Sequence, residues 1–89
     1  MNNKQILGAL ALDLKRVAIG YYRGSTAMSD RFFEEALKRR REIDSASLKP
    51  YLVKFLKDME GLKKDKNDRA AEDALLYSTI FQNASIMIS

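Results

Sequence analysis

Ile6-Leu7-Gly8-Ala9-Leu10-Ala11-Leu12-Asp13-Leu14-Lys15-Arg16-Val17-Ala18-Ile19-Gly20-Tyr21 is the stretch that decides how this chain folds. At about 100° per residue, Ile6, Leu7, Leu10, Leu14, Val17, Ala18 and Tyr21 fall on one side of a helix. Gly24 supplies a C-terminal stop, so the pattern predicts a first helix over about residues 3–23. The uninterrupted apolar run from Ile6 to Leu12 is far shorter than the roughly 20 residues a membrane span needs. Lys4 ahead of that run imitates the start of a signal peptide. Asp13, Lys15 and Arg16 cut the run off, however, and no small-residue cleavage site follows, so the chain reads as mature, soluble protein.

Three further segments carry the same period. The second helix is expected over 29–44, capped by Ser29 or Asp30, with Phe32, Phe33, Ala36, Leu37 and Ile43 on its apolar side. The third is expected over 48–60, with Pro50 tolerated in the first turn and Gly61 as the stop. Leu48, Tyr51, Leu52, Phe55, Leu56 and Met59 form its stripe. The fourth is expected over 67–87, opened by Asn67 or Asp68. Ala70, Ala74, Tyr77, Phe81, Ala84 and Ile88 share one face there, flanked by Leu76 and Ile80. Connections of about four to seven residues make consecutive helices antiparallel neighbours. The predicted fold is all-α: a single domain spanning 1–89, built as an antiparallel up-down-up-down four-helix bundle. A three-helix arrangement with a loose terminal helix is the fallback.

Composition agrees with a small packed domain. Apolar residues make up 46% of the 89, charged residues 31%, and there are only one Pro and four Gly. A chain of this size buries roughly 60–65% of its unfolded surface. Cys, His and Trp are all absent. No disulfide framework or thiolate zinc site can form, and a reducing cytoplasm is the expected compartment. Glu-x-x-His di-iron sites and His-activated nucleophiles are excluded on the same ground. Glu34 and Glu35 are adjacent and face counter-charges, and a solvated carboxylate is a poor general acid at neutral pH. No cofactor, metal or small-molecule substrate is expected, and no enzymatic activity.

Net charge is +4 with a pI near 9.5. Residues 1–23 and 48–66 each carry +3, residues 24–47 are neutral and 67–89 carry −2. A surplus spread in this way allows a weak preference for anions without marking a dedicated nucleic-acid binder. The run Lys38-Arg39-Arg40-Arg41 follows Glu34 and Glu35 at the helical i,i+4 spacing, which is how a solvated helix face looks. Tyr22 and Arg23, beside the Gly24-Ser25 turn, present a ring and a guanidinium that suit a single strand, or else simply pack a helix end. Lys15, Arg16, Tyr22, Arg23, Arg39 and Arg41 are therefore the candidate anionic-ligand surface.

Two features exceed the bundle pattern. Leu12 and Ile19 lie opposite the core stripe of the first helix, and Leu75 and Ile86 lie on the back of the fourth. Helices apolar nearly all round are more completely buried than a small bundle manages, so these four are the candidate surface for a second copy or another protein. Arg40 falls in the middle of the second helix's apolar side and needs a partner. Pairing Arg23 with Asp30 and counting ten residues down each helix predicts a structural ion pair with Asp13. The leading functional expectation is a small cytoplasmic interaction module, an adaptor or regulator, self-associating as a homodimer. The alternative is nucleic-acid binding through the basic surface of the first two helices. Peripheral membrane association through the first helix is weaker, because Asp13 interrupts its apolar-basic face.

Overall fold

Asn2 opens the first helix with a reciprocal cap. Its side chain accepts from Gln5 N at 2.9 Å, while its own N–H donates to Gln5 Oε1 at 3.3 Å, satisfying two of the N–H groups a helix start leaves free. The structure, a computed structural model, describes residues 2–62 and 68–87. Among them are four helices: α1 (Asn3–Tyr22), α2 (Thr26–Glu42), α3 (Pro50–Met59) and α4 (Asp68–Met87). A short 3-10 turn, Ser45–Ser47, links α2 to α3, and no strand occurs among the described residues. The Lys63–Lys66 turn, Asn67 and Ile88 lie outside the described residues.

α1 is the central element, lying against both α2 and α4, while α3 leans on α4. Ile6, Leu7, Leu10, Leu14, Val17 and Ala18 are all buried, as their spacing predicts. Phe33 and Ala36 from α2, Leu52, Leu56 and Met59 from α3, and Ala74, Phe81 and Ala84 from α4 complete the core. Each fully buried large aliphatic or aromatic contributes about 1.5–3 kcal/mol over leaving it in water, so this cluster is the main source of stability. Tyr77 and Phe55 bring α4 and α3 together with ring centroids 5.9 Å apart and planes tilted by 52°.

Serine hydroxyls fix the registers of both long interfaces. Ser78 donates to the Ala11 carbonyl at 2.7 Å and Ser85 to the Lys4 carbonyl at 2.8 Å. The two donors and the two acceptors are each seven residues apart, and they run in opposite senses, so α1 and α4 are antiparallel. Ser29 donates to the Val17 carbonyl at 3.0 Å across the α1–α2 interface. Here the structure corrects the expected helix start. Ser29 is buried, and the N-cap of α2 is Ser25, whose Oγ accepts from Met28 N at 3.3 Å.

The α1–α2 corner shows why the start lies earlier. Gly24 adopts φ +73, and the N–H groups of Ser25 and Gly24 donate back to the Gly20 and Tyr21 carbonyls at 2.8 and 3.1 Å. This is a Schellman stop, and its last residue, Ser25, is also the cap of the next helix. The first turn of α2, Thr26-Ala27-Met28-Ser29, leaves Ala27 exposed and Met28 only partly buried and turns Ser29 inwards, so no apolar stripe announces it. Gly20 is required for the close approach. A Cβ there would collide with Ser29 Oγ and lie 2.9 Å from Ser29 N.

One topological expectation needs qualifying. α2 and α3 are consecutive but are not packed along their lengths. They meet instead through Arg40, whose Nε lies 3.4 Å from Glu60 Oε1. Tyr51 and Leu76, placed on or beside apolar stripes by their spacing, are exposed.

Candidate functional site

The ion pair expected between Asp13 and Arg40 is replaced by a neighbouring one. Arg39 Nε donates to Asp13 Oδ2 at 2.8 Å, whereas Arg40 turns to Glu60. The helix register decides this. Asp13 sits at the edge of the buried face of α1, so its partner must come from the edge of α2, and Arg39 is 100° round the helix from Arg40. The Arg40 side chain is only 17% exposed, and its Nε has no hydrogen-bond partner among the described residues. Its attraction to the half-exposed Glu60 is therefore Coulombic. Lys38 stands 3.6 Å from Glu35.

Burial pushes the Asp13 carboxyl above its ordinary range. Arg39, by hydrogen bond and by charge, and then Arg16 draw it back down without cancelling the shift. Desolvation wins because the carboxylate is almost fully enclosed while Arg39 remains partly in water. The Tyr77 hydroxyl is likewise held above its usual value, first by burial and then by Asp73 and Asp58.

The six residues of the candidate anionic surface do not form one patch. Arg39 is committed to Asp13. Lys15 lines a groove beside α4. Arg41 is exposed towards the far end of α2. Arg16 and Arg23 stand two turns apart on one exposed side of α1, and Tyr22 is exposed beside Arg23 at the helix end. The Arg16 guanidinium lies 5.1 Å from the centroid of the Phe32 ring, and Arg31, a residue the sequence reading passed over, lies 5.8 Å from the same centroid. Arg31 escaped notice because only the tertiary contact between α1 and α2 brings it to Arg16.

The candidate association surface is partly assembled. Leu12 is 48% exposed and Leu75 42% exposed, and both line one groove between α1 and α4 with a volume of about 420 Å³. Its other walls are Lys15, Ser78, Thr79, Gln82 and Asn83, with Ala11 at the base. Ile86 is exposed three turns along α4 from Leu75. Ile19 is only half exposed, so it contributes less free surface than its helical position implies.

A second concavity of about 630 Å³ opens at the end of the bundle where α1 begins and α4 ends. Asn3, Asp44, Leu48, Tyr51, Leu52 and Met87 are among its lining residues. Five separate segments build it, which is why no local pattern announced it. Among the described residues, no three His, Cys, Asp or Glu side chains are grouped to hold a metal ion, and no helix is long and apolar enough to cross a membrane. No protein-family model matches this chain, and neither a curated protein nor a solved structure is significantly similar to it.

Proposed function

We propose that this chain is a small helical interaction module that pairs with a second copy of itself. In this reading it acts in the cytoplasm as an adaptor or regulator and has no catalytic activity of its own. The observation that carries the proposal is the juxtaposition of Leu12 and Leu75, both nearly half exposed, in the α1–α4 groove. Large apolar side chains on neighbouring helices favour a cover, and a two-fold interface supplies one by setting the same patch against itself. The polar amides and hydroxyls along the groove suit the rim of such a patch. The lack of Cys supports a reducing compartment, and the lack of His and Cys removes the commonest base and the most reactive nucleophile.

Light scattering on the eluting protein tests the proposal. The expected mass is twice the 10.2 kDa of the chain. Leu12→Glu combined with Leu75→Glu should give the single-chain mass with an unchanged helical circular dichroism spectrum. These positions are preferable to Ile19, whose partial burial would confuse dissociation with unfolding. A wild-type mass of one chain at every concentration, or a dimer that survives both substitutions, overturns the reading.

A further inference from the structure

The α1–α2 hairpin carries three arginines with no salt-bridge partner among the described residues. Arg16, Arg23 and Arg31 are all exposed, and none has a carboxylate oxygen within 4.0 Å among the described residues. Asp13 lies in the field of Arg16, but its carboxylate is taken by the hydrogen bond from Arg39. The first turn of α2 contains no acid. Arg16 and Arg31 both rest on Phe32, so they cannot be further apart than the sum of their 5.1 and 5.8 Å distances to its centroid. Two like charges held this close to one ring repel each other in the free protein, and an anion set between or across them relieves that repulsion. Arg23 extends the row along the same face of α1. Next to it Tyr22, at 61% exposure, offers an uncovered ring at the hairpin end.

We propose that this hairpin face binds single-stranded nucleic acid, with Arg16, Arg23 and Arg31 on successive phosphates and Tyr22 stacked on a base. The chemistry favours this ligand over others. Guanidinium forks match phosphate oxygens bidentately. A ring interleaved with cations is a stacking platform that any base can use. Arg16, Arg23 and Arg31 are all exposed, so the face suits an extended strand better than a small enclosed anion. A duplex is disfavoured because its bases are already stacked and cannot reach Tyr22. The proposal uses residues other than Leu12 and Leu75 and stands independently of self-association.

Fluorescence anisotropy with a fluorescein-labelled 12-nucleotide oligouridylate and the matching oligothymidylate tests it, on the full chain. Three phosphate contacts give a salt slope near −2 for a single strand. Raising salt from about 50 to 200 mM should therefore weaken binding roughly 20-fold. Replacing Arg16, Arg23 and Arg31 together with Ala should abolish the slope and the binding. Replacing Lys49, Lys54 and Lys57 on or beside α3 removes the same charge and should leave affinity within about twofold. Tyr22→Ala should weaken oligonucleotide binding about tenfold, which corresponds to the loss of one stacked base, and leave inorganic polyphosphate binding unchanged. No binding at low salt overturns the proposal. So does equal loss in the two triple variants, which would mark a diffuse charge effect. Polyphosphate binding as tight as the oligonucleotide, with Tyr22→Ala affecting neither, would reassign the face to anions without bases.

Discussion

The side-chain amide of Asn3 pairs with both backbone groups of Asp44. Its Nδ2 donates to the Asp44 carbonyl and its Oδ1 accepts from Asp44 N–H, each at 3.0 Å across 41 residues of chain. Asp44 is also the cap of the Ser45–Ser47 turn, accepting from Ala46 N at 3.2 Å and from Ser47 Oγ at 2.8 Å. One residue at the start of α1 thus ties down the corner between α2 and α3, where those helices lack a packed interface of their own.

Asn3→Ala removes both bonds and should destabilise the protein by about 1–2 kcal/mol, at the lower end because the site is exposed. Asn3→Asp keeps the acceptor but turns a carboxylate towards the Asp44 carbonyl, and should be the worse variant at neutral pH. Urea midpoints at constant slope measure both. If Asn3→Ala melts with the wild type, the clamp contributes nothing to stability.

Gly20 and Gly8 should respond oppositely to alanine. At Gly20 the added methyl meets Ser29 Oγ and the Ser29 backbone, which cannot give way without opening the α1–α2 corner. The expected loss is about 1–3 kcal/mol, typical of overpacking. At Gly8 the methyl meets only Ser85 Oγ, at 3.2 Å. That small strain competes with a gain of about 0.8–1 kcal/mol in helix propensity, so Gly8→Ala should be neutral or slightly stabilising. Thermal melts of the two variants side by side decide it, and equal losses would contradict the geometry.

Asp13 makes stability depend on pH in a sense opposite to most paired carboxylates. Its folded-state pKa lies above the ordinary 3.8 because burial outweighs Arg39. The folded protein therefore holds this proton more tightly than the unfolded chain does. The resulting contribution is full below 3.8 and is lost as pH rises through the folded value. Asp13→Asn abolishes this dependence. Its stability relative to wild type should rise with pH from just under 4 towards neutrality, as read from urea melts across that range. A relative stability that falls with pH would show that the Arg39 pair, not burial, dominates the site.

The number of helices, their approximate extents and the buried stripe of α1 were legible in the sequence, because a 3.6-residue period records which side of a helix leaves water. Gly24 as a stop and Pro50 at the start of α3 were legible too, since φ preferences act locally. The N-terminus of α2 was not. Its first turn buries Ser29 rather than Ala27 or Met28, and its cap, Ser25, is already used to finish the preceding helix. Nor was the partner of Asp13. Choosing Arg39 over Arg40 requires the rotation of α2 about its own axis, and the packing of Phe33, Ala36 and Ser29 against α1 sets that rotation.

The candidate surfaces divide in the same way. Leu12 and Leu75 stood out individually as apolar residues on the wrong side of their helices. Their meeting in one groove depends on the antiparallel register that Ser78 and Ser85 impose on α1 and α4. Arg31 joins Arg16 only because α1 and α2 bring both to Phe32. Periodicity and local backbone preference carry the helices and the main buried stripes, though not the exposure of Tyr51 and Leu76 or the burial of Ser29. Which exposed residues become neighbours depends on rotations and offsets between helices, to which no local pattern is sensitive, so that pairing emerges only when the helices pack.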